Sequence, residues 1–208
     1  MMEHEHEPIR GLPGNLPEGE QILWQGAPDW RTFLRSALFA RWIAGYFALM
    51  AVIALASGSL GGTVASLIGG GLTLGLLAVF AMLVQRTTVY TLTNRRLVFR
   101  VGVALDTCIN VPLKLIGAAD LRELGSGRGD IALQLVGRQR VGYAILWPHA
   151  RPFKLKSVQP MLRALPDAQK VAALLAKTCG ELVENERGPI ANQAPSAAAV
   201  GAWEEAAA

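Results

Sequence analysis

Between Trp42 and Gln85 the chain runs for 44 residues without one Asp, Glu, Lys or Arg. No other feature limits the possible folds as strongly. A helix of about 20 mostly apolar residues spans the hydrocarbon core of a bilayer, and this block is about twice that length. It divides at Ser57-Gly58-Ser59-Leu60-Gly61-Gly62, a run of small residues suited to a tight turn. The pattern predicts a helical hairpin with transmembrane spans over about residues 38–56 and 63–84. Neither span has the polar face that a helix on the surface of a soluble protein presents. Composition agrees: the chain is 51% hydrophobic and 17% charged, against about 25% charged in ordinary globular domains.

The basic residues set an orientation. Arg31, Arg35 and Arg41 precede the first span, Arg86, Arg95, Arg96 and Arg100 follow the second, and the connecting turn has no charge. The positive-inside rule then puts both termini in the cytoplasm, as a multi-pass membrane protein. Trp30, Phe33, Phe39, Trp42 and Tyr46 are suited to an aromatic belt at that interface. The net charge of +4 is explained by this flanking excess, so no nucleic-acid partner is expected. Residues 1–30 are polar, with no apolar stretch of the kind a cleaved leader needs. Cys108 and Cys179 have no zinc or redox spacing and read as free thiols.

After Arg86 the pattern changes. Thr87–Leu92 and Leu97–Val101 are rich in β-branched and aromatic residues and flank the turn Thr93-Asn94-Arg95-Arg96, a hairpin signature. Further strands are predicted at Thr107–Val111, Ile116–Leu124, Ile131–Val136 and Val141–Leu146. They lie too close together for helical crossovers, so the sheet should be antiparallel. Pro166–Leu182 predicts a helix with Val171, Leu174, Leu175, Thr178 and Leu182 on one face, covering the sheet. The expected division is an N-terminal cytoplasmic segment (1–30), the hairpin (31–86), a cytoplasmic domain (87–184) and a disordered tail (185–208).

Two stretches resemble a known family. Pro17-Glu18-Gly19-Glu20-Gln21-Ile22-Leu23-Trp24-Gln25-Gly26 before the spans, and Val89-Tyr90-Thr91-Leu92-Thr93-Asn94-Arg95-Arg96-Leu97 after them, look like the bacterial pleckstrin-homology-like domains that follow a membrane hairpin. Gly11-Leu12-Pro13 with Leu16–Gly26, Trp30-Arg31 and the hairpin length is similar to the PuhB-type photosynthetic complex assembly proteins of purple bacteria. The resemblance covers about residues 12–182. It implies an α+β membrane protein: a two-helix transmembrane hairpin followed by a PH-like antiparallel β-barrel or sandwich capped by a C-terminal helix. It implies an assembly factor for the reaction centre and core light-harvesting complex in the intracytoplasmic membrane, without catalysis. The alternative is a membrane-anchored PH-like lipid- or protein-binding module unrelated to photosynthesis.

Candidate sites are few. Gly58/Gly62, Ser66/Gly70 and Gly71/Gly75 are small-residue pairs that let helices approach closely. They serve either to pack the two spans together or to receive another membrane protein or a second copy, as in a homodimer. Arg138, Arg140, Arg151, Lys154 and Lys156 form a basic cluster. It is either an ordinary charged surface or an interaction surface for anionic lipids or client subunits. Glu3-His4-Glu5-His6-Glu7 alternates metal ligands, but a short terminal segment is costly to order and reads as a solvated tail. His149 reads as a surface or packing residue. Gly125, Gly127 and Gly129 lead into a strand, so they read as a β-turn and not as a phosphate loop. No ionisable residue lies within either span, and neither span contains a His to ligate a pigment. No catalytic, cofactor-binding or metal site is expected, and the chain is read as a non-enzyme.

Overall fold

The computed structural model describes residues 11–103, 106–137, 142–154 and 157–191. Its first strand comes before the helices. β1 (Ile22–Gly26) runs antiparallel to β2 (Val89–Thr93), with Ile22 opposite Thr93 and Gly26 opposite Tyr90. All three long-spaced helical segments, α1 (Trp30–Ser36), α2 (Ala40–Ala56) and α3 (Leu60–Thr87), are inserted between these two neighbouring strands. The expectation of a separate N-terminal segment, residues 1–30, is therefore corrected for its described part. The segment supplies an edge strand of the domain, and the domain is discontinuous in sequence.

Asp29 caps α1, accepting hydrogen bonds from the Thr32 N–H at 3.1 Å and the Thr32 hydroxyl at 2.6 Å. α1 ends at Ser36, and Phe39, held at φ 54°, turns the chain into α2 with a bend of 59°. Gly58, at φ +74°, makes the tip of the hairpin, and Ser59 caps α3 through the Gly62 N–H. The turn is tighter than the sequence suggested, so Gly61 and Gly62 already belong to α3. With 28 residues α3 is about 42 Å long, enough to cross a hydrocarbon core of about 30 Å. α2, with 17 residues, reaches only about 25 Å. It is long and apolar enough for a crossing only together with α1, across the bend.

The two long helices pack through small residues. A Cβ on Gly70 would meet Phe47 at 2.9 Å, and one on Gly62 would meet Ala54 at 3.2 Å. Their outward faces are covered by exposed apolar side chains, Leu49, Val52, Ile53, Leu67, Leu72 and Leu76 among them.

The remaining strands are β3 (Arg96–Val101), β4 (Thr107–Pro112), β5 (Ile116–Gly125), β6 (Arg128–Leu135) and β7 (Met161–Leu165). They form a four-stranded sheet, β1-β2-β3-β4, and a three-stranded sheet, β5-β6-β7, antiparallel throughout. The buried core between them holds Tyr90, Leu92, Leu97, Phe99, Ile131, Leu133 and Leu162. A short helix, α4 (Tyr143–Leu146), replaces the strand expected at Val141–Leu146. Leu146 is fully buried while Ala144 and Ile145 are exposed, a helical spacing in a run too short to show its period. α5 (Ala168–Ala191) closes the domain with Val171, Leu175 and Thr178 buried and Leu174 and Leu182 partly buried, the face the periodicity predicted. It runs past Asn185 to Ala191, beyond the point where a disordered tail was expected to begin; 192–208 lie outside the described residues. No disulfide joins Cys108 and Cys179.

Candidate functional site

The two sequence stretches that carried the family resemblance meet in space. Glu20 is buried beside the β2–β3 turn, where the Arg96 guanidinium grips its carboxylate through Nε at 2.8 Å and Nη2 at 3.1 Å. The Thr93 hydroxyl donates to the same carboxylate at 2.8 Å. Burial opposes ionisation of Glu20, but the hydrogen bonds from Arg96 and Thr93 outweigh it and hold the carboxyl below its ordinary range. Asn94 accepts from the Gln21 N–H at 3.0 Å and donates to the Gly19 carbonyl at 2.9 Å. The Thr-Asn-x-Arg turn is thus a clasp that fixes the segment ahead of the hairpin onto the sheet behind it. Gly11 seats the start of that segment: at φ +88°, a Cβ there would lie 2.6 Å from Val89.

A second junction joins the helices to the opposite sheet. Phe33 of α1 is fully buried among Ala81 and Val84 of α3 and Ala164 of β7, and its ring lies 5.9 Å from that of His149. The Asp29 N–H donates to the Ala164 carbonyl at 2.9 Å, and the Trp30 N–H to the Gln85 side chain at 2.9 Å. Phe80 stacks on Trp147 with centroids 5.8 Å apart. Phe33 is therefore a buried wedge, not a member of an aromatic belt; Phe39, Trp42 and Tyr46 are exposed as such a belt requires.

Beneath Phe33 lies a buried polar network that the sequence did not disclose. The Arg163 backbone N–H donates to the Tyr90 hydroxyl at 3.3 Å. That hydroxyl lies 2.7 Å from His149 Nδ1, and His149 Nε2 lies 3.3 Å from the Thr88 hydroxyl. One consistent arrangement has Tyr90 donating to Nδ1 and a neutral imidazole protonated at Nε2 donating to Thr88. Burial, reinforced by the Arg163 charge, pushes the His149 pKa down to about 3. Burial also raises the Tyr90 hydroxyl above its ordinary value. Asp130 accepts from the Ala164 N–H at 2.8 Å, and burial raises its carboxyl despite that bond and the Arg163 charge. His149 thus fills the packing role, and a structural one.

The imidazole makes stability depend on pH. The unfolded residue titrates near 6.5 and the folded one near 3, so between these values the unfolded chain binds the extra proton. Acidification through that window removes about 1.4 kcal/mol of stability per pH unit from this group. Asp130, raised by burial, acts in the opposite sense only as its own carboxyl begins to bind protons. The melting temperature of the detergent-solubilised protein is expected to fall from about pH 7.5 to about pH 5.5, and His149→Gln is expected to flatten that slope. An equal slope in both proteins would show that His149 is not its source.

The basic cluster proposed from sequence is only partly described. Arg151 is committed to Asp120 at 2.7 Å and to Gln159 at 3.1 Å. Lys154 is exposed, and Arg138, Arg140 and Lys156 lie outside the described residues, as does Glu3-His4-Glu5-His6-Glu7. Of the small residues, Gly62 and Gly70 pack the hairpin and Ser66 is half-buried, whereas Gly71 and Gly75 have open space around them. Gly58 belongs to the tip. Among the described residues no group of three metal-ligating side chains occurs.

Comparison with known proteins places this architecture. A relative from Rhodobacter capsulatus, described as "Uncharacterized 23.7 kDa protein in puhA 5'region", is 36% identical over 204 residues, covering 93% of this chain and 95% of its own. A solved structure from Shewanella loihica, of a DUF1696 family protein with a pleckstrin-homology domain, aligns over 44% of this chain and 71% of its own at 14% identity and a TM-score of 0.30. The sequence pattern of bacterial PH domains matches residues 38–178, which takes in both long helices and the strands after them. With that span matched, the chain belongs to the bacterial PH domain family.

Proposed function

We propose that the protein is a membrane-anchored, non-enzymatic assembly factor for the photosynthetic reaction centre and its core antenna, acting by protein–protein contact. The observation that carries the anchoring is the pairing of β1 with β2. Residues 26 and 89 are held side by side, so the segment between them must leave and re-enter on the same face of any bilayer it meets. A single crossing by α3 contradicts that pairing. Both long helices cross or neither does, and their exposed apolar faces favour crossing. Arg31, Arg35, Arg41 and Arg86 all lie at the base of the hairpin and the tip has no charge, which supports a cytoplasmic domain with both termini inside.

The photosynthetic role is supported by the PuhB-type resemblance and by a relative located in the puhA 5′ region. Both junctions fix the domain against the hairpin base, as suits a platform that presents one face to membrane subunits. The open face at Gly71 and Gly75 is where we place contact with a client helix or a second copy. A deletion strain of the source organism is expected to lose reaction centres while pigment synthesis continues. Normal reaction-centre abundance in that strain would refute the role. Extraction by a carbonate wash, without detergent, would refute the anchor.

A further inference from the structure

At the bend between α1 and α2 a cleft of about 270 Å³ opens toward the β5–β6 turn. Four guanidinium-bearing residues line it: Arg35 from α1, Arg41 from the start of α2, and Arg122 and Arg128 from the two strands. Among the described residues no carboxylate lines it. Arg128 reaches Asp29 at 3.5 Å, and Arg122 stands opposite Asp130 in the strand pair. Among the described residues neither Arg35 nor Arg41 has an acidic partner. Ser36 also lines the cleft, and its hydroxyl oxygen is buried with no hydrogen-bond partner. Buried polar atoms are almost always satisfied, so this orphan points to a group that belongs there. Four like charges converge at a cost that an anion removes, and guanidinium forks match the oxygens of a phosphate.

The cleft has an apolar neighbour. Through Arg41 and Trp42 it continues into a groove along α2 lined by Gly45, Tyr46 and Leu49. These residues fall at i, i+3, i+4 and i+7 from Trp42 and so share one helix face. Trp42 is 80% exposed, at the point where the chargeless helix begins. The basic cleft thus opens directly onto an apolar face of α2.

We propose that this composite site binds one anionic glycerophospholipid, its phosphate among Arg35, Arg41, Arg122 and Arg128 and an acyl chain along the Trp42–Leu49 face. A free phosphate uses the cleft but not the groove, and the groove is what favours lipid. The inference rests on the hairpin being a membrane hairpin, which places the cleft at headgroup depth. Its four arginines are other residues than Arg138, Arg140, Arg151, Lys154 and Lys156.

The test is native mass spectrometry of the full-length protein in detergent, titrated in turn with phosphatidylglycerol, phosphatidylcholine and inorganic phosphate. Phosphatidylglycerol adducts are expected to survive at collision energies that strip phosphatidylcholine. In R35Q/R41Q their retention is expected to drop about thirtyfold, the scale set by two cations at a lipid headgroup, and Lys154→Gln is expected to change nothing. Arg35 and Arg41 are both exposed, so the double variant should keep its melting temperature. Equal retention in wild type and R35Q/R41Q overturns the site. Retention of inorganic phosphate with no preference for phosphatidylglycerol overturns the lipid. A separate carbonate wash reports on the hairpin, so a soluble protein that still holds an anion in the cleft condemns the anchor and not the arginines.

Discussion

A fragment that begins at Thr87 and keeps every later strand is expected not to fold on its own. It lacks β1, so β2 becomes an unprotected edge along Tyr90–Thr93. It lacks Leu12, which is 1% exposed and whose burial is worth about 2 kcal/mol. It lacks Glu20, leaving the Arg96 guanidinium without the carboxylate it grips, at a cost of about 1–3 kcal/mol. It also lacks Phe33, the apolar lid beside His149. Together these losses approach the total stability of an ordinary domain, about 5–15 kcal/mol. Gly26 lies opposite Tyr90, a separation that a turn of about four residues can close. A chain of residues 11–191 with 27–88 replaced by such a turn keeps β1 and the clasp, and is expected to melt cooperatively, although more weakly than the intact protein. Circular dichroism melts of the two fragments decide the matter. A sharp transition in the fragment from Thr87 would show that the preceding segment is dispensable, and the inserted-hairpin architecture would lose its energetic basis.

That architecture marks the boundary of what the sequence revealed. The chargeless block announced the two long helices because hydropathy over 44 residues is a strong local signal. The strands β2 to β6 were legible from β-branched and aromatic residues between turn residues, and the buried face of α5 from its 3.6-residue period, both of which are written locally. β1 was missed because Ile22–Gly26 has only five residues and its partner lies on the far side of the hairpin. Its pairing is a long-range fact, and the only hint was that Glu20 and Arg96 occur in the same family-like pattern. β7 was missed because Met161–Leu165 has no β-branched or aromatic residue to mark it as a strand. The basic cleft escaped notice for a different reason. Arg35 and Arg41 read as flanks of a span, Arg122 and Arg128 lie far along the chain on β5 and β6, and the bend at Phe39 lies where the two pairs meet at one opening. His149 was rightly expected to pack, but Tyr90 and Thr88, its hydrogen-bonding partners, lie about sixty positions upstream, beyond any local pattern.

Asp130→Ala is expected to destabilise the intact protein by about 1–3 kcal/mol, the range for leaving a buried N–H without its acceptor. Asp130 is 2% exposed and does two things. Its Oδ1 accepts the Ala164 N–H at 2.8 Å, and its charge lies close enough to Arg163 to favour the buried guanidinium. Ala164 has φ 51°, a conformation that a residue with a Cβ adopts only when its surroundings compel it. Without the carboxylate its N–H loses its acceptor and the strained backbone loses its tether. Arg163, whose Nε already lacks a partner, keeps only the Ala150 carbonyl at 3.0 Å. The damage should reach the helices, because the Ala164 carbonyl accepts the Asp29 N–H and its side chain packs against Phe33, Ala81 and Val84. Asp130→Asn keeps the acceptor and discards the charge, so it should cost only about 1 kcal/mol. Because burial already raises the Asp130 carboxyl, the native state tolerates a neutral side chain there. Thermal melts in detergent should rank wild type above Asn above Ala, and proteolysis between β1 and α1 should accelerate only in the Ala variant. If Ala and Asn are equally mild, the strained turn at Ala164 is held by packing alone, and the hairpin base does not depend on this carboxylate.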